Sequence, residues 1–501
     1  IPLINIIGKE GNGYYTAAYD IYVILLIISS YSLPTAVSKM VAAKLGKGEY
    51  RNSQRVLKTA LLYATAAGGI GAAILGLGAE PLAELLRMPF CKYALLSFAP
   101  TIWIMAYLGV LRGYFQGTGN MVPTAVSQIL EQLVNAAVSI GAATFLFAKG
   151  LQADAVYETE HYAHAYGAAG GTIGTGAGAF AAFLFFLFLF WVYRPVMRRQ
   201  KRRDKTGRID PYSRLLIVMT ATVVPIVLSS AVYNVSAVID NYLFSHGMDQ
   251  LGRTEEIAAQ WGTFGQYHLL FNIPVAMSNA LSSSLIPSLT RAVAEKDRKQ
   301  TLEKVQMAVR FSMIIAIPSA VGLCVLSGPI NNLLFSGDDN PLLIKITIAG
   351  ALAVVFFSLS TVSNAILQGL NHMNIPMRNA AIALIIHIGA LEVMLLVFHW
   401  GLYSVVFANI IFSFLMCLLN AAAIRRYLRY RQEIRKTFLI PAVAALIMGG
   451  AAYGVYHGIY SLTHMNGLGT GAAIAAAMFV YGVLLIKLGG INEKELKKMP
   501  G

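Results

Sequence analysis

Gly167–Tyr193 reads GAAGGTIGTGAGAFAAFLFFLFLFWVY, holds no charged residue, and runs directly into Arg194. A stretch of about 20 apolar residues is long enough to cross the hydrocarbon core of a bilayer. Its second part, Phe180–Tyr193, closes on Trp191 and Tyr193, residue types that settle at the membrane–water boundary, and so reads as a lipid-facing helix. A track for a long apolar chain is the sharper alternative for the same aromatic run. The glycine-rich part, Ala168–Ala179, lacks the strand and the Lys-Ser/Thr of a phosphate loop and reads as close helix packing through small residues. No nucleotide site and no ATP motor are implied.

The same kind of stretch recurs along the chain, at Tyr14–Lys44, Val56–Leu77, Ala94–Phe115, Met121–Phe147, Leu215–Leu243 and Tyr267–Leu289. It continues at Val305–Leu334, Leu342–Leu367, Ile375–Phe398, Tyr403–Ile424, Thr437–Tyr460 and Gly467–Leu488. The joining loops alternate in charge sign. Lys44–Lys58, Arg194–Arg214, Arg291–Lys304, Arg425–Lys436 and the Lys487–Lys498 tail are basic. Lys149–Tyr166, His246–Trp261 and Gly337–Asn340 lean acidic. Basic loops stay in the cytoplasm, and all five fit strict alternation from one starting orientation, with a cytoplasmic C-terminus. Ile1–Ile7 is apolar but too short to span and reads as the tail of a first helix, which brings the expected count to about 14.

Composition agrees. Hydrophobic residues make up 56% of the chain and charged residues 13%, against roughly 25% charged in soluble domains. The formal charge of +15 sits in short loops beside apolar stretches, which points to anionic lipid headgroups as partners rather than nucleic acid. Cys91, Cys324 and Cys417 are scattered, with no spacing that supports a disulfide framework or a metal site, and no cofactor is expected. Prolines recur within or at the start of the apolar stretches (Pro34, Pro100, Pro123, Pro225, Pro274, Pro318, Pro376), as packing adaptations or as hinges for rocking helices.

An internal repeat organises the stretches. Phe115–Pro123 (FQGTGNMVP) matches Leu367–Pro376 (LQGLNHMNIP) with one residue inserted, and Leu33–Ser38 (LPTAVS) matches Ile273–Ser278 (IPVAMS). In the QG motif a glycine in the left-handed region would end one helix and a proline would start the next. The repeat predicts an all-α polytopic membrane fold with two pseudo-twofold-related six-helix bundles, 1–205 and 206–432, around a central cavity, and two extra helices in 433–501.

Two segments, Gly13–Leu61 (GYYTAAYDIYVILLIISSYSLPTAVSKMVAAKLGKGEYRNSQRVLKTAL) and Leu111–Val134 (LRGYFQGTGNMVPTAVSQILEQLV), resemble the polysaccharide-biosynthesis/SpoVB-type branch, which includes MurJ-like lipid II flippases, of the multidrug/oligosaccharidyl-lipid/polysaccharide exporter superfamily. The resemblance covers essentially the whole chain. It implies a 14-helix, V-shaped, alternating-access fold, and a polyprenyl-pyrophosphate-linked saccharide, lipid II foremost, as the cargo carried from the inner to the outer leaflet.

Ionisable residues at membrane depth cost roughly 2.5–3.5 kcal/mol each on insertion scales, so each is a candidate for function. Glu131 lies deepest, and Gln128, Glu131 and Asn135 fall on one helix face. That stripe is either a structural seam between helices or a contact for sugar and peptide groups. Lys39 and Arg112, toward the cytoplasmic side, suit a pyrophosphate or ordinary snorkelling. Asp20 and Asp240 sit nearer the outer ends, as solvated carboxylates or as cation or sugar contacts. Asn279, Ser282, Arg310, Asn364 and Gln368 are the polar candidates of the second half. His387 and Glu392 do not share a face, and His387 reads as packing more readily than as a proton relay. Coupling to protons or sodium is not legible.

Three alternatives stand beside lipid II flipping. They are export of another polyprenyl-linked or teichoic unit, a cation-coupled multidrug antiporter, and a membrane transferase. The antiporter needs a shared acidic pocket, and Glu131, Asp20 and Asp240 on three separate helices do not suggest one. The transferase needs clustered carboxylates or histidines facing the cytoplasm, and the acidic loops lie on the other side by charge. An enzyme is not expected.

Overall fold

The computed structural model describes residues 1–204, 206–207, 209–335, 340–372, 374–430 and 432–490. The expected Asp338–Asp339 acidic loop and the 491–498 part of the basic tail lie outside the described residues, as does the Pro225 side chain.

The chain is helical among the described residues. The first helix, α1 (Pro2–Leu26), breaks at Gly8 (φ 70°, ψ −175°), passes through a π-turn at Ile27–Tyr31, and resumes as α2 (Leu33–Leu45). Pro34 explains the π-turn: proline lacks the N–H for a carbonyl four residues back and its ring crowds that carbonyl, so an extra residue is accommodated. Next come α3 (Tyr50–Leu77), a short α4 (Ala79–Leu85), α5 (Lys92–Gly117), α6 (Val122–Tyr157), α7 (Tyr162–Arg203) and α8 (Tyr212–Gln250). The rest is α9 (Ile257–Ala294), α10 (Arg298–Val325), a short α11 (Ser327–Leu334), α12 (Pro341–Gly369), α13 (Asn374–Glu392), α14 (Leu402–Leu428), α15 (Ile440–Thr463) and α16 (Asn466–Lys487). Eleven helical spans among the described residues are long and apolar enough to cross a membrane. The expected total of about 14 is not reached among them.

Several helices outrun their apolar stretches, α6 and α7 among them. The expected Met121–Phe147 helix continues to Tyr157, and Gly167–Tyr193 extends to Tyr162–Arg203. The acidic loop between them shrinks to a tight turn with Glu158 at φ 53°. Asp154 caps α7: its two oxygens accept the N–H groups of Tyr162 and Ala163 at 2.8 and 2.9 Å, a favourable charge at a helix N-terminus.

Packing groups Pro2–Gly262 into one compact unit and Thr263–Gly501 into a second. This grouping by contact is distinct from the sequence repeat expected to turn over at 205/206; α8 packs on α1, α2 and α3. Within the first unit α3 packs on α5, α5 on α7 and α6 on α7; within the second α10 packs on α12, α12 on α14 and α13 on α14. The short helices α4 and α11 fall at matching places in these series.

The repeated turn is built the same way twice. The N–H groups of Gly119 and Asn120 bond the carbonyls of Gln116 and Phe115; those of Asn371 and His372 bond the carbonyls of Gln368 and Leu367. The left-handed position is Gly119 (φ 85°) in one copy and Asn371 (φ 64°) in the other. The glycine of the QG pair has a different job from the one expected. It is helical in both copies, and a Cβ on it would lie 2.7 Å from Val41 at Gly117 and 2.8 Å from Leu289 at Gly369. It permits close packing rather than the turn.

Candidate functional site

Within the first unit, glycine faces bring the polar helices together. Gly109, Gly113 and Gly117 on α5 face the π-turn and α2: added Cβ atoms would meet the Ser30 carbonyl at 3.1 Å, the Pro34 carbonyl at 2.8 Å and Val41 at 2.7 Å. Gly170, Gly174 and Gly178 on α7 meet α6 at Ala143 (2.5 Å), Ser139 (2.0 Å) and the Glu131 carbonyl (2.5 Å) in the same way. The small-residue packing expected of Ala168–Ala179 is this face.

The α6 stripe divides on inspection. Arg112 Nη2 on α5 reaches Glu131 Oε2 at 2.6 Å, and Arg112 Nε donates to Ser127 Oγ at 3.0 Å. The two charged side chains are 11% and 14% exposed, so each neutralises the other in a largely dry setting. Asn135 sits beside Ser139, whose hydroxyl lies 2.8 Å from Asn135 Oδ1 and 3.0 Å from the Gly171 carbonyl; this is the seam between helices. Gln128 is exposed. Tyr22, buried and stacked on Phe98 with ring centroids 4.2 Å apart, lies within electrostatic reach of Glu131. Lys39 is exposed on α2, the helix packed on α5, and forms no ion pair among the described residues.

Asp20 and Asp240 lie within electrostatic reach of one another. Asp20 on α1 interacts with Asp240 and Asn241 on α8 and with Trp261 on α9, and Asp240 is only 3% exposed. Nothing in the sequence joins these two carboxylates, because α1 and α8 are distant in the chain. The three acids therefore form two separate groups, Glu131 with Arg112 and Asp20 with Asp240.

In the second unit Asn364 belongs to a buried amide network. Asn420 Nδ2 on α14 donates to Ser363 Oγ (2.9 Å) and Asn364 Oδ1 (2.7 Å) on α12, and Asn379 Nδ2 on α13 donates to Asn420 Oδ1 (2.9 Å). Asn379 and Asn420 escape the sequence reading; Asn420 carried a signal, as an amide alone in an apolar run, whereas Asn379 follows Arg378 directly and did not stand out. Ser282 bonds the Ser278 carbonyl, Gln368 is half-buried, and Asn279 is exposed. His387 is fully buried edge-on to Phe412, and Glu392 is exposed. Arg310 pairs with Glu433, ahead of α15. An apolar groove of about 680 Å³ runs between α9, α10, α11, α15 and α16, along Ile273, Pro318, Leu326, Met448 and Ile474. No group of three or more potential metal ligands occurs among the described residues.

A basic clasp joins the α2–α3 turn to the α7–α8 linker. Lys44 bonds both Glu49 and Asp210, and Asn52 Nδ2 donates to Glu49 at 2.8 Å. The Arg51 N–H donates to Asp204 at 2.7 Å, and the Arg55 guanidinium bonds the Asp210 carbonyl while lying 3.9 Å over the Tyr212 ring. The Lys44 hydrogen bond holds the carboxyls of Glu49 and Asp210 below their ordinary range. At Asp204 burial pushes upward, but hydrogen bonds from Thr206 and Arg51 outweigh it and the carboxyl is also lowered.

This architecture is that of a polytopic helical membrane protein. It superposes on the inward-facing form of a multidrug resistance MATE family transporter of the MOP superfamily with a TM-score of 0.68, at 14% identity over 85% of this chain and 93% of that one. It also superposes on the inward closed conformation of the lipid II flippase MurJ at 0.65, with 17% identity over 97% of this chain and 96% of that one. At such identities the likeness is one of fold. Residues 49–466 match the family described as lipid II flippase MurJ, and the chain belongs to that family. It is also 24% identical to stage V sporulation protein B of Bacillus subtilis (strain 168), over 100% of this chain and 93% of the relative.

Proposed function

We propose that this protein carries lipid II, a polyprenyl-pyrophosphate-linked saccharide, from the inner to the outer leaflet of the bacterial plasma membrane by alternating access, with its C-terminus in the cytoplasm. Family membership supports the cargo class, and one geometric observation supports the chemistry. Arg112 is held in place by Glu131 and Ser127 yet uses only two of its five N–H donors on them. A pyrophosphate arriving from the basic side takes the remaining donors and displaces Glu131, with the exposed Lys39 as a second cation on the adjoining helix. In the resting state Glu131 keeps Arg112 neutralised, so the charge is offered only when an anion competes for it. A prenyl tail stays out of water throughout.

The test is lipid II translocation by the double variant Lys39→Gln/Arg112→Gln in proteoliposomes. Losing two charge-assisted contacts of about 1.5–3 kcal/mol each lowers translocation by at least tenfold. Unchanged translocation removes the phosphate-receiving role.

The Asp20–Asp240 pair favours a second element of the reading, coupling to a monovalent cation or proton. Asp240→Asn then abolishes any dependence of translocation on a sodium or proton gradient while leaving lipid II binding in place. The full-length likeness to a sporulation protein supports a variant reading, in which the saccharide is a precursor flipped during sporulation.

A further inference from the structure

A chamber in the second unit is unused by this reading. It lies at the basic ends of α10, α12 and α14 and is roofed by the linker that leads into α15. Its volume, about 400 Å³, falls in the range of small-molecule sites, ~300–1,000 Å³. Val309, Leu359, Ile366 and Phe438 make the interior apolar, and Arg425, Tyr430 and Gln432 line its polar side.

The linker is pinned in place. Glu433 accepts hydrogen bonds from both Arg310 and Gln306 on α10. The linker's described acid is thereby committed, and Arg425 is left without an ion pair among the described residues. The Tyr430 hydroxyl is buried, and its proton has no acceptor among the described residues. A buried donor without an acceptor carries the full penalty of its lost hydration, which a ligand oxygen would relieve. Beside this donor the segment Arg425–Lys436 carries six basic residues against one acid. Ile434, on the same linker and lining the same chamber, is 71% exposed, so the chamber has an apolar flank open to its surroundings.

We infer that this chamber binds one anionic phospholipid of the leaflet on the basic side, with an acyl chain among Val309, Leu359 and Ile366 and the phosphate on Arg425 and Tyr430. An apolar interior joined to a cationic, donor-rich mouth selects an anionic amphiphile over either a free anion or a neutral lipid. The cation alone would attract any phosphate; the chamber behind it requires a chain.

The test is native mass spectrometry of the full chain released from micelles with phosphatidylglycerol, with phosphatidylcholine, or with phosphatidylglycerol plus inorganic pyrophosphate. One phosphatidylglycerol should survive collisional activation that strips phosphatidylcholine. Arg425→Gln and Tyr430→Phe should each lower the retained fraction about tenfold, and Ala421→Phe, which fills the chamber, should abolish it. Equal retention of the two lipids, retention in Ala421→Phe, or displacement by pyrophosphate would overturn the assignment. The wild-type chain supplies an independent readout. Phosphatidylglycerol with a diazirine near its acyl terminus should cross-link to 305–309 or 359–366; labelling confined to other segments contradicts the proposal.

Discussion

Glu131 on α6 and Arg112 on α5 face each other in a largely dry setting, 14% and 11% exposed. Both stand out as ionisable groups inside apolar stretches, and the structure joins them at 2.6 Å. Their pairing is illegible in the sequence, because it depends on how α5 and α6 pack rather than on spacing along one helix. Glu131→Gln leaves Arg112 uncompensated in a largely dry setting and should lower stability by about 1–3 kcal/mol, read as an earlier thermal transition in detergent. The same substitution frees the guanidinium, so lipid II binding should be retained or strengthened, whereas Arg112→Gln should weaken it. A loss of lipid II binding in Glu131→Gln equal to that in Arg112→Gln would mean that the pair is only structural. Asp20 and Asp240 illustrate the same limit: each is visible as a polar residue in an apolar run, and their proximity is not.

At the scale of elements, hydropathy locates the helices and small residues decide how they meet. The α7 glycines at 170, 174 and 178 are spaced by four, which keeps them on one face, and the structure packs that face on α6. Gly174→Val places new atoms where Ser139 Oγ already lies 2.0 Å from an ideal Cβ and should destabilise by about 1–3 kcal/mol or more. Gly141→Ala on α6 meets no described atom within 4 Å and should be neutral or slightly stabilising. Detergent melting curves of the pair separate packing from helix propensity. The turn after α5 offers a second check: Gly119→Asn should be tolerated, since Asn371 holds the same left-handed conformation in the other copy, and Gly119→Val should not. Hydropathy ends its helices too early where charge begins. Lys149–Tyr157 and Arg194–Arg203 are helical but polar, and apolarity reports only the part of a helix that lipid surrounds.

At the scale of the molecule, alternating loop charge and the two matched turns are enough to place the chain in a membrane with an internally repeated fold. The polar contacts that tie distant segments together are not readable, because their partners lie far apart in sequence. The clasp from Lys44 to Asp210 spans the α2–α3 turn and the α7–α8 linker. Its carboxyls titrate below their ordinary values, so the clasp is complete above the carboxylate range and contributes less as pH falls through it. Protection of the Arg51 and Asp210 amides from hydrogen exchange, relative to the intrinsic rate at each pH, should therefore fall below about pH 4, and Asp210→Asn should weaken protection at neutral pH and flatten the profile.

The cargo is tested most directly in bacterial cells depleted of their own flippase. The protein is expressed there, its membrane insertion is verified, and outer-leaflet lipid II is scored by an externally added enzyme that cleaves it. Cleavage should return with the wild-type chain and stay low with Lys39→Gln/Arg112→Gln. An inserted, folded wild-type protein that leaves lipid II uncleaved would contradict it.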